Sequence, residues 1–226
     1  MDPPTHSSSE PPSESALRDA AKVSVLDVDG NEILFGDLYK PSGRGEKKRT
    51  LIIFVRHFFC GSCQDYVGAV SESIPAPPQL PTNTAIIIVG CGAPSLIATY
   101  RDTTKCPFPI YTDPTRCLYA LFDMKMTLDA GNHAPDYSPS SMFSLVTRGI
   151  TYTLGRLLSG DMLQSGNKSQ NGGELLFEAE FANGAAEDGD EEIKVTIPFC
   201  HIMKNTRDHS EVSILRTILG LDEEHS

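Results

Sequence analysis

Residues 50–63 read TLIIFVRHFFCGSC, and their order decides the fold. Thr50 to Arg56 is a continuous apolar, β-branched run. A strand with one wet face alternates; an unbroken run suits a strand covered on both faces. Two cysteines follow, three residues apart. On a helix such residues are neighbours, with β-carbons about 5–6 Å apart. The stretch Cys60 to Ser73 reads as that helix, with Val67 and Val70 on its inner face, and Pro75 to Pro81 stops it.

Working outward, Val23 to Val28 and Glu32 to Phe35 form a hairpin pattern around Asp29-Gly30-Asn31. Asp37 is a candidate cap for a helical turn at Gly36 to Tyr39, and Pro41 to Arg49 reads as a polar loop. Beyond the cysteines, Thr84 to Gly90 (TAIIIVG) is a second buried strand. Ala93 to Asp102 reads as a helix with Pro94 in its first turn. Phe108 to Thr112 is a short strand, and Asp113-Pro114 starts a helix running to about Asp123. Further on come a helix over about Leu145 to Leu163, strands at Glu174 to Phe181 and Ile193 to Ile202, and a closing helix at Ser210 to Gly220. Strands joined by a helix run parallel, and the last two, joined by a loop, antiparallel. The fold class is therefore α/β: a mixed central sheet with helices on both faces.

A chain of 226 residues with 39% hydrophobic content supports one domain. Residues 1–20, rich in Pro, Ser and Glu, read as a disordered tail. The domain occupies 21–222, with insertions near 124–144 and 182–192; the latter carries the acidic run Glu187 to Glu192. The net charge of −11 excludes nucleic acid and anionic membrane surfaces as leading partners. Lys47-Lys48-Arg49 is too short to reverse this and reads as a solvated loop. With no long apolar span and no leader pattern at the start, a cytoplasmic location is expected.

Cys60 and Cys63 carry the chemistry. A helix start offers free amides and partial positive charge, and both favour thiolate over thiol. Cys60, nearest the helix start, reads as the exposed nucleophile, and Cys63, a turn behind, as the resolving thiol. Arg56 is a nearby cation able to stabilise the thiolate, alongside His57; Phe58 and Phe59 offer an apolar wall or core packing. Zinc needs four ligands, this pair supplies two, and Cys200-His201 is a poor complement, so no metal is expected. Two cysteines that merely pack form the remaining alternative. Cys91 ends a strand and is a candidate auxiliary thiol; Cys106, Cys117 and Cys200 read as packing residues. His133 and His209 have no partner at a telling spacing.

FVRHFFCGSCQDYV, IIIVGCG, YTDPTRCLYALFDM and QNGGELLFE resemble the peroxiredoxin-like family, the alkyl hydroperoxide reductase/thiol-specific antioxidant domain proteins. HIMKNTRDH resembles its fungal members. The resemblance covers about residues 22–220. It implies a thioredoxin-like fold, with Cys60 at the family's reactive position and Cys63 as its partner. Two departures stand out. Ile53 and His57 occupy the places of the Pro and Thr (or Ser) that precede the reactive cysteine in typical peroxiredoxins. Gln170-Asn171-Gly172-Gly173 stands where thioredoxins carry a cis-proline, the two glycines still permitting close backbone approach.

The leading expectation is a thiol–disulfide oxidoreductase or antioxidant using the Cys60–Cys63 pair, with Arg56, Phe59, Gly61, Ser62, Gly172 and Gly173 as candidate substrate contacts. Its partners would be a small peroxide, a disulfide or another electrophile. No bound cofactor is expected; an external thiol reductant of the thioredoxin or glutathione type would restore the dithiol, and a reductant protein is a possible partner. The alternatives are an enzyme of small-molecule metabolism acting on a lipid-like or secondary-metabolite substrate, with the 124–144 insertion covering an apolar pocket, and a non-catalytic thioredoxin-like binding module.

Overall fold

The computed structural model describes residues 9–131, 164–182 and 193–222. Its elements, in chain order, are α1 (Glu14–Ala21), β1 (Ser24–Leu26), β2 (Glu32–Leu34), α2 (Phe35–Tyr39), β3 (Lys47–Phe54), α3 (Gly61–Ser73), β4 (Thr84–Gly90), α4 (Ile97–Thr104), β5 (Ile110–Thr112), α5 (Cys117–Leu121), β6 (Gly173–Phe181), β7 (Ile193–Ile202) and α6 (Val212–Ile218). The strands form one sheet ordered β2-β1-β5-β4-β3-β6-β7. β3–β4 and β4–β5 are parallel; β1–β2, β1–β5, β3–β6 and β6–β7 are antiparallel. This is the expected mixed α/β sheet.

β3 lies centrally and is buried from Thr50 onward. Its side chains alternate between two cores, as the period of two requires. Leu51 and Ile53 face α3, α4 and α6, while Ile52 and Phe54 face the layer that includes Phe35, Leu118 and Tyr119. Both faces are covered, which is why the run carries no polar alternation. Burying each such side chain contributes about 1.5–3 kcal/mol. On α3, Cys63, Tyr66, Val67 and Val70 turn to the first core at helical spacing.

Several boundaries differ from the sequence reading. Residues 9–20 are not a tail: the Ser9 amide donates to the Cys200 carbonyl at 3.2 Å, and Ala20 of α1 is fully buried. Ser13 caps α1 by accepting from the Ala16 amide at 3.2 Å, a signal present in the sequence but hidden by the tail's composition. Lys47 to Arg49 belong to β3 rather than to a loop, because Glu178 on β6 pairs with both Lys47 and Arg49. Asp37 sits inside α2, whose cap position is Leu34. The α4 helix proper starts at Ile97, after a 3₁₀ turn at Pro94–Leu96. Asp113 does receive free amides, those of Arg116 and Leu118, but α5 opens only at Cys117. The expected helix at 145–163, nearly all of the 182–192 excursion and most of the 124–144 insertion lie outside the described residues.

Candidate active site

The pair sits where β3 gives way to α3. Val55 to Cys60 link them, and Cys60 is the cap residue of α3, with an extended backbone. The Tyr100 hydroxyl donates to the Cys63 carbonyl at 3.3 Å, and the Phe58 amide donates to the Ser165 carbonyl at 3.2 Å. The first turn of α3 holds no acidic residue, so no carboxylate there opposes a thiolate.

Both cysteines are free thiols. Arg56 fixes the surroundings of Cys60. Its Nη1 donates to Cys60 Sγ at 3.2 Å, Nε to the Gln170 carbonyl at 3.0 Å and Nη2 to the Lys168 carbonyl at 2.6 Å. Gln170 is held in turn by its side-chain amide, which donates to the Met124 carbonyl at 2.7 Å. One guanidinium thus ties the loop before β6 to the Cys60 sulfur.

The two thiols are driven apart in acidity. Cys60 is held well below the usual thiol range: the Cys63 thiol donates to it, and, against the opposing effect of burial, His57, Arg56 and the Cys63 amide add stabilisation. Cys63 is pushed well up by burial, by donating to Cys60 and by the negative charge on Cys60. Burial lowers the pKa of His57. Its Nδ1 is buried with no hydrogen-bond partner among the described residues. The arrangement sets a thiol of lowered pKa beside one of raised pKa.

The structure departs from expectation in four places. Cys60 is not exposed: only 5% of it reaches solvent. Phe59, Gly61 and Ser62 are the half-buried residues closest to it in sequence. Gly172 and Gly173 are buried against neighbouring backbone. A β-carbon on Gly172 would strike the Phe54 carbonyl, and one on Gly173 the His201 carbonyl. Cys91 does not lie open on the rim: it is buried, it donates to the Arg56 carbonyl at 3.0 Å, and burial pushes its pKa up to about 11. Cys106 and Cys200 are buried as expected, whereas Cys117 is exposed.

Sequence reasoning missed what lies behind Cys63. His209 Nε2 is 3.4 Å from Cys63 Sγ, and its Nδ1 is 2.7 Å from Glu174 Oε1. The imidazole stacks on Tyr66, centroids 4.1 Å apart. The second Glu174 oxygen accepts from the Ser210 amide at 3.2 Å and hydroxyl at 3.0 Å. His209 lies 146 positions from Cys63, so no local spacing betrays it. Glu174 did leave a signal: it shares a strand face with Leu176, which packs in the α3-side core.

The family model described as "AhpC/TSA antioxidant enzyme" matches residues 71–182. "Peroxiredoxin-like 2C" of Bos taurus is 27% identical over 202 residues, covering 89% of this chain and 78% of that protein. The Homo sapiens protein of the same name is 26% identical over 202 residues, covering 89% and 79%. The chain is similar to the peroxiredoxin-like proteins over most of its length. Peroxiredoxin Q of Xanthomonas campestris superposes with a TM-score of 0.47 at 10% identity, covering 96% of this chain and 98% of that one. The family match begins within α3, beyond both cysteines, so the roles of Cys60 and Cys63 in this peroxiredoxin-like chain rest on the geometry above. Among the described residues, no helix is long and apolar enough to cross a membrane, and no cluster of three or more His, Cys, Asp or Glu fits a metal ion.

Proposed function

We propose that this peroxiredoxin-like chain is a thiol peroxidase or thiol–disulfide oxidoreductase, with Cys60 as nucleophile and Cys63 as resolving thiol. The observation that carries the reading is the Arg56 Nη1 to Cys60 Sγ contact of 3.2 Å beside the donated Cys63 hydrogen bond. The Cys60 thiolate attacks one oxygen of a peroxide; the O–O bond breaks, the leaving oxygen takes a proton, and Cys60 becomes a sulfenic acid. Cys63 then attacks the Cys60 sulfur, the S–O bond breaks, and water leaves as the disulfide forms. With a disulfide substrate the same two attacks pass through a mixed disulfide. An external dithiol or glutathione returns two electrons and two protons.

The low exposure of Cys60 favours a small electrophile over a folded protein's disulfide, which would have to reach a buried sulfur. Phe59, Gly61 and Ser62 are the proposed substrate contacts, and the unpartnered His57 Nδ1 is a place for a peroxide oxygen to bind. The test is peroxide and small-disulfide turnover with a recycling thiol. Cys60→Ser abolishes turnover, and Cys63→Ser accumulates the Cys60 adduct. Wild-type turnover in Cys60→Ser would refute the reading.

A further inference from the structure

We propose that Glu174 and His209 form a buried proton relay that ionises Cys63 when it resolves oxidised Cys60, and reprotonates it when the disulfide is reduced. This rests on the function proposed above. The distances form one line: Glu174 Oε1 to His209 Nδ1, 2.7 Å, then His209 Nε2 to Cys63 Sγ, 3.4 Å. Both the Glu174 and His209 side chains are fully buried.

An ionised carboxylate only accepts hydrogen bonds, so Glu174 fixes the proton on Nδ1 and leaves Nε2 to exchange one with Cys63. Burial opposes a charged Glu174. The hydrogen bonds from His209 and the Ser210 amide outweigh it and hold the carboxyl below its usual range.

Cys63 presents a problem that the relay solves. A buried thiol with a raised pKa is a poor nucleophile, yet resolution requires its thiolate. Two of the causes holding its proton are its hydrogen bond to Cys60 and the Cys60 charge. Oxidation of Cys60 to sulfenic acid removes that charge, freeing the Cys63 proton for Nε2. As the Cys63 sulfur attacks, its proton passes to His209, and Glu174 stabilises the imidazolium. The departing hydroxide takes one proton and His209 gives one back to solvent, so the step yields one disulfide and one water. In reduction, the attacking thiol gives up its proton, His209 takes one up in exchange, and Nε2 passes it to Cys63 as the S–S bond breaks. Among the described residues, the groups facing the relay include Cys63 and Tyr66 from α3, Tyr100 from α4, Glu174 from β6, and Cys200 and His201 from β7 with the latter's neighbour Asp208; Arg56 acts on Cys63 from the β3 side. His209 is the catalytic residue of the relay, and Glu174 positions it.

The test is a single turnover of the full chain with one equivalent of hydrogen peroxide. Loss of thiolate absorbance follows Cys60 oxidation, and quenched mass spectrometry follows disulfide closure, across pH. In the wild type, closure becomes independent of pH well below the thiol's own titration. In His209→Gln and Glu174→Gln, closure slows about 100-fold, the lower end of what a positioned acid–base group contributes, and rises with hydroxide instead. Unchanged closure in folded variants overturns the relay. So does wild-type closure proportional to hydroxide throughout, which needs no variant and holds should either substitution prevent folding. If Cys60 is never oxidised, the reading beneath the relay falls and takes the relay with it; oxidised Cys60 with unaltered closure overturns the relay alone.

Discussion

Replacing Arg56 by methionine removes a guanidinium whose Nη1 stands 3.2 Å from the Cys60 sulfur while keeping much of the side-chain stem. Bare Coulomb attraction at that distance in an effective dielectric of about 20 gives roughly 5 kcal/mol, an upper bound. The hydrogen-bond scale for a charged partner, about 1.5–3 kcal/mol, is the better guide. The lower end applies because the Cys63 donor is the largest cause of the depressed Cys60 pKa and His57 shares the rest. At about 1.4 kcal/mol per unit, the Cys60 titration should rise by about one unit. The substitution also strips the Gln170 and Lys168 carbonyls of their donor, at about 1–3 kcal/mol for each that stays buried. Arg56→Lys, which keeps the charge but not the three-way geometry, should fall between. The assay is the pH profile of Cys60 alkylation by iodoacetamide, read peptide by peptide, with a urea melt alongside. An unmoved alkylation midpoint with reduced stability would make Arg56 a clamp for the loop and nothing more.

Cys63→Ala removes the foremost cause of the low Cys60 pKa, so the same alkylation midpoint should rise further than in Arg56→Met. Gly172→Ala drives a β-carbon into the Phe54 carbonyl and should lower stability by about 1–3 kcal/mol, read as a lower urea midpoint with an unchanged slope. Glu174 has a folded pKa below its ordinary value of 4.5. Its contribution to stability is therefore full above that value and is lost as pH falls through the folded pKa. Acid titration of the wild type should show that loss, and Glu174→Gln should flatten it. His209→Ala leaves the Glu174 charge buried without its partner and should cost about 3–5 kcal/mol in a denaturant melt at neutral pH.

The doubly buried β3, the parallel β3–β4 pair and the strand–CxxC–helix order were legible because each is written within a few residues: an unbroken apolar run, a spacing of three, a proline stop. Cys60 and Cys63 were legible for the same reason, and so was Arg56, four residues upstream of Cys60. Composition misled at the N-terminus, where Pro and Ser suggested a tail but Ser13 caps a docked helix. Gly172 and Gly173 read as candidate substrate contacts permitting close backbone approach, but a sequence does not reveal which backbone lies opposite; in the fold it is the Phe54 and His201 carbonyls. Glu174 and His209 escaped notice because they meet only when β6 and the turn before α6 converge on α3. A polar residue on the inward face of a buried strand needs a partner, and that demand was the one clue to the pair.

The central claim is that Cys60 reacts first and Cys63 resolves it. Peptide-level mass spectrometry after limiting peroxide, followed by thiol capping, tests both halves at once. A bridge joining Cys60 to Cys63 in the wild type, and oxygen added to Cys60 in Cys63→Ser, are the predicted results. First oxidation at the exposed Cys117, or at Cys63 ahead of Cys60, would contradict the account.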